Sequence, residues 1–140
     1  MTYRTFAVFG LSAFLAVTAA VAQDRLQAQV PFNFRVGQSV MPSGSYLISQ
    51  SGPVGTIVIR SADQRSNAIV ITNAVQSDQN ASTGKLVFRR YGDIYFLSQV
   101  WKPGNDRGHQ LIQTRTEREM ASATPMPSGT EVASVPLTRQ

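Results

Sequence analysis

Residues 85–101 read KLVFRRYGDIYFLSQVW. Two apolar and aromatic runs flank Gly92-Asp93. A two-residue loop with glycine first favours a type II′ turn, whose twist suits paired strands. That loop sets a register: Tyr91 faces Ile94, Arg90 faces Tyr95, Arg89 faces Phe96 and Phe88 faces Leu97. Period 2 then sorts the side chains. One face is expected to carry Leu86, Phe88, Tyr95, Leu97 and Trp101, the other Val87, Tyr91, Ile94, Phe96 and Val100. Both faces are apolar and aromatic. The hairpin is therefore either central in the fold or presents one aromatic face to a partner.

Upstream of the hairpin the same alternation recurs. Val30, Phe32, Phe34 and Val36 are apolar at every second position, which reads as one half-buried strand. Pro31 has no amide donor and belongs at a strand end or an edge. Pro42-Ser43-Gly44 marks a turn, and Tyr46 and Ile48 continue the period beyond it. Residues 56–60 (TIVIR) and 68–72 (AIVIT) are β-branched and apolar on consecutive positions, so both are expected to be covered on both faces. Residues 76–83 read as a polar connection, 102–106 as a loop and 109–112 as a last strand. Thr114 and Glu117 form a capping box, with Glu117 expected to reach back, and a helix follows to about Ala121. After that the chain turns to Ala, Thr, Pro, Ser and Gly, and 122–140 reads as a disordered tail.

The fold expected is all-β: a small antiparallel barrel or sandwich of about six to seven strands, with one short C-terminal helix capping an open end. The organisation expected is a signal peptide over 1–22, one β domain over 23–121 and the tail. The signal reading rests on Arg4, the uncharged run Phe6 to Val17, and the small residues of Ala20-Val21-Ala22 before Gln23-Asp24-Arg25. Its apolar stretch is at the short limit for crossing a bilayer core of about 30 Å, so cleavage is favoured over an anchor. No second long apolar run follows. The mature chain is then free of the bilayer, in the periplasm or outside the cell.

The 140 residues contain 13 Lys and Arg against 8 Asp and Glu, a net charge of +5, and no cysteine. Without cysteine there is no disulfide, no thiolate zinc site and no lipoprotein acylation site. The cations are scattered and no nucleic-acid motif is present, so a nucleic-acid partner is not expected.

Several phrases recur together: VPFNFRVG over 30–37, MPSGSY over 41–46, LVFRRYGD over 86–93, YFLSQVW over 95–101 and EREMA over 117–121. With them the chain resembles a family of short exported bacterial β-rich proteins that carries no assigned activity. The resemblance implies export and a β fold over residues 28–121. It implies no catalytic residue.

Candidate chemistry is sparse. His109 is the single histidine, with Asp106 three residues upstream as the nearest acidic partner in sequence. A general base needs such an oriented partner. Glu117 and Glu119 are two apart and do not share a helix face. No metal site and no cofactor are expected. The best binding candidate is the hairpin set Arg89, Arg90, Tyr91, Tyr95, Phe96 and Trp101, residue types that favour protein or carbohydrate partners. Its competitor is plain core packing with one Arg90–Tyr95 cation–π contact. The function expected is a non-enzymatic extracytoplasmic module binding a protein or carbohydrate of the envelope. The alternatives are a secreted hydrolase using His109 with a nearby carboxylate, and a structural envelope or matrix component.

Overall fold

The computed structural model describes residues 25–50, 55–81, 83–123 and 131–139. The expected signal peptide lies outside them. Ten strands form among the described residues: β1 (Leu26–Val30), β2 (Phe34–Val36), β3 (Ser39–Met41), β4 (Gly44–Gln50), β5 (Thr56–Ser61), β6 (Asn67–Ala81), β7 (Gly84–Tyr91), β8 (Ile94–Trp101), β9 (Asn105–Leu111) and β10 (Glu131–Arg139). One helix, α1 (Arg115–Ala123), lies between β9 and β10.

The strands run in the order β3-β2-β8-β7-β10-β1-β4-β5-β6-β9, and β8 also pairs with β9. That last pairing closes eight strands, β8 round to β9, into an antiparallel barrel with β2 and β3 attached outside the ring. The all-β class is as expected, and the strand count exceeds the expected six to seven. An eight-stranded barrel is about as wide as its own side chains can fill. Here Leu26, Val30, Tyr46, Ile48, Ile57, Ile59, Leu86, Phe88, Leu97, Val100, Val135 and Leu137 form that filling. Phe34 meets both Tyr46 and Phe88 edge to face, with centroids 5.0 and 5.3 Å apart. No polar side-chain atom buried among the described residues lacks a hydrogen-bond partner.

Four expectations need correcting. The single strand expected over Val30 to Val36 is two. The break falls at residues 31–33, where Pro31 removes a donor and the chain swings from β4's partner to a parallel pairing with β8. The tail expected to be disordered supplies β10 over 131–139. Its alternating Ala133, Val135 and Leu137 point inward, and it pairs antiparallel with β7 over seven residues and with β1 at Leu26 and Gln27. The polar stretch beyond residue 76 extends β6 to Ala81, and β9 begins at Asn105, inside the expected loop. Finally, α1 does not cap a barrel end. It meets the outer wall through Glu117, which faces Tyr91 and Arg89.

The hairpin register is as read near the turn. Tyr91↔Ile94, Arg90↔Tyr95, Arg89↔Phe96 and Phe88↔Leu97 all pair, and Gly92 takes the positive φ of 61° that the turn demands. Beyond Leu97 the register slips by one, because Val87 pairs with Gln99 and Ser98 is an extra residue. From that bulge onward every side chain changes face. Val100, expected on the second face, joins Leu86 in the core, and Trp101 turns outward. The slip also divides β8 between neighbours: Tyr95 and Phe96 pair with β2, while Gln99 to Trp101 pair with β9.

Candidate functional site

The six hairpin residues do not make an open aromatic platform. Phe96 is 2% exposed and Trp101 8%. Phe96 packs against Tyr91 with centroids 5.7 Å apart, and the Arg35 guanidinium lies 5.9 Å from its ring. The Trp101 indole donates to Gln99 Oε1 at 3.0 Å and lies against Gly108 on β9. Tyr95 is half-buried and stacked on Phe32 at 3.9 Å, with the Arg90 guanidinium 5.5 Å from its centroid. Arg90 also donates from Nε to the Gly92 carbonyl at 2.6 Å and lies 3.7 Å from Asp93. The Arg90–Tyr95 contact is thus formed, and the hairpin's aromatic and arginine side chains are engaged within the molecule.

The Glu117 carboxylate ties this region to α1. Thr114 caps the helix as read, its hydroxyl accepting the Glu117 N–H at 3.2 Å. The Glu117 side chain does not reach back. It accepts from the Tyr91 hydroxyl at 3.3 Å and lies 4.0 Å from Arg89 Nη1, at 5% exposure. Burial raises its pKa, against the opposing pull of Arg89 and of hydrogen bonds from Tyr91 and Gln113.

His109 is held by a hydroxyl partner and not by a carboxylate. Its Nδ1 lies 3.1 Å from Thr72 Oγ1, and that hydroxyl donates to the Gly55 carbonyl at 2.8 Å. With the hydroxyl proton so committed, Nδ1 must carry the ring proton and donate. Burial lowers the His109 pKa, and the Lys102 ammonium lowers it further. Asp106, three residues away on the same strand, accepts instead from Gln76 Nε2 at 3.3 Å. Among the described residues, no group of three or more His, Asp or Glu is placed to hold a metal ion.

The feature that sequence reasoning missed is on the outside of β4, β5 and β6. Ile69 and Ile71 are each 70% exposed, and Ile112, just past β9, is 59% exposed. Ile71 and Ile112 are brought side by side because Thr72 pairs with Leu111, and all three isoleucines border one shallow cleft with Gly37, Gln38 and Arg115. Ile69 pairs with Val58, which borders a second depression with Leu47, Ser49, Arg25 and Arg60. The two depressions therefore lie next to each other on paired strands. The signal was present: the runs 56–60 and 68–72 are apolar on both faces. Their inner residues fill the barrel, and no described element covers the outer ones.

No helix among the described residues is long and apolar enough to cross a membrane. No family model, curated protein or solved structure matches this chain.

Proposed function

We propose that the chain is an exported, non-enzymatic β module that acts by binding a partner through the outer face of β4–β6, in the periplasm or outside the cell. The observation that carries this reading is the pair Ile69 and Ile71, 70% exposed on a strand whose inner residues are packed. Large exposed apolar patches on a soluble surface mark interaction sites. The binding reading is favoured over the hydrolase alternative by the surroundings of His109: its Nδ1 partner is the Thr72 hydroxyl, and Asp106, the carboxylate that reading needs, is engaged by Gln76. Export is supported by the three-part segment over 1–22 and by the resemblance to short exported bacterial proteins.

The test has two parts. The N-terminus of the protein recovered from its producing cell is expected at Gln23; recovery of an intact Met1 form in the cytoplasm removes the export reading. Washed envelopes of that cell are then mixed with the protein and sedimented. Ile69→Ser/Ile71→Ser is expected to weaken the affinity for the envelope about a hundredfold, because two side chains worth roughly 1.5 kcal/mol each leave the contact. Equal retention of the variant, or no retention of either protein, sinks the reading.

A further inference from the structure

The outer face of β4–β6 has a charge pattern as well as an apolar one. The outward positions are Ser45, Leu47 and Ser49 on β4, Thr56, Val58 and Arg60 on β5, and Asn67, Ile69 and Ile71 on β6. None is Asp or Glu. Arg60, with Arg25 just before β1, stands at one end of the apolar strip, where both border the depression containing Leu47 and Val58. At the other end Arg115 borders the isoleucine cleft, its charge shared with Glu119 at 2.9 Å. The nearest turn, 62–65, holds Asp63, which is occupied by Ser61 Oγ at 2.5 Å and the Arg65 amide at 3.1 Å.

The shape narrows the choice of partner. Strands β4, β5 and β6 are each paired on both sides, so a peptide cannot add to this face as a strand. The face is the outer wall of a closed barrel, with aliphatic side chains standing out from it. Projecting isoleucines beside arginines suit a soft, anionic, partly apolar surface, because the aliphatic chains enter the acyl boundary while guanidinium groups meet phosphates. We propose that this face docks peripherally on an anionic phospholipid bilayer, with Ile69, Ile71 and Ile112 entering the interface and Arg25 and Arg60 meeting the headgroups. The inference rests on the binding reading above and names its partner.

The absence of cysteine from the chain gives a clean experiment. A single cysteine replaces Ile69 in one full-length protein and Ser134 in another, and each carries an environment-sensitive fluorophore. Ser134 is an exposed position on β10, four strands away around the eight-stranded ring. Vesicles are phosphatidylcholine alone or with about one third phosphatidylglycerol. The expected result is a blue shift and protection from an aqueous quencher at position 69 with the anionic vesicles only. Position 134 is expected to stay unchanged, so the readout reports this face rather than attachment through residues 1–22. Arg60→Gln is expected to weaken the response about fivefold, the worth of one cation near an anionic surface. No shift at 69, an equal shift at 134, or an equal response to neutral vesicles overturns the proposal. Envelope retention that depends on Ile69 and Ile71, without any vesicle response, means a protein occupies the face: the lipid inference then fails and the binding reading stands. Loss of both removes both.

Discussion

A β-carbon built on Gly108 would lie 2.6 Å from Cε3 of Trp101 and 2.7 Å from Cδ2. The ring is buried and tied by its indole N–H to Gln99 Oε1, so it cannot withdraw freely. Gly108→Ala is expected to destabilise the protein by about 1–3 kcal/mol, the usual cost of forcing atoms into a packed site. In a Trp101→Ala background the same substitution is expected to cost far less, and a double-mutant cycle in urea reads the difference. An unchanged cost would mean that backbone, not the indole, sets it. Two titrating groups make opposite contributions at this scale. The Glu117 carboxyl keeps its proton to a higher pH in the fold than in the unfolded chain. The native state therefore binds more protons above the ordinary glutamate value of 4.5, and its contribution grows as pH falls from neutrality towards that value. His109 works the other way. Its folded pKa lies below the ordinary 6.5, so its contribution is intact above 6.5 and lost as pH falls through the folded value. Melting temperatures across pH 5–7.5 are expected to rise less steeply towards acid in Glu117→Gln, and to fall less in His109→Gln. Curves parallel to the parent would show that neither group is coupled to folding.

Among the elements, the hairpin was legible near its turn and illegible at its far end, for one physical reason. A two-residue turn fixes local pairing, and four pairs follow from it. The extra residue Ser98 is decided by where β8 must change neighbours from β2 to β9, and that is tertiary information. The face of Trp101 follows from it: strict alternation without the bulge places the indole inward, and aromatics that look available as a pattern are consumed in packing. Strand β10 was hidden by composition. Pro125, Pro127 and Pro136 and the small polar residues read as tail, yet Ala133, Val135 and Leu137 keep the period of a half-buried strand. Ending the chain at residue 130 is expected to expose β7 and β1 as open edges, with loss of cooperative unfolding and association seen by light scattering. A monomeric truncated protein that melts as sharply as the parent would show that the strand is dispensable.

For the whole molecule, inside and outside divide cleanly. Phe88 is wholly buried at the centre of the aromatic cluster, and Phe88→Ala is expected to cost about 3–5 kcal/mol. Ile69→Ser/Ile71→Ser removes as many apolar atoms from a surface already in water, and is expected to shift stability by less than about 0.5 kcal/mol per site. Thermal melts of the two variants side by side check the contrast. A large loss in the surface pair would mean those isoleucines serve the fold and not a partner.

Ring closure also sets a timetable. The strand that completes the barrel, between β1 and β7, is the last of the ten to be synthesised, and its contacts with Leu26 and Gln27 join residues more than a hundred positions apart. Long-range pairings of this kind form slowly. Until residue 139 has left the ribosome, the nascent chain cannot reach its native form. On the export reading proposed above, a machinery that handles only unfolded polypeptide has the whole interval of synthesis in which to engage it.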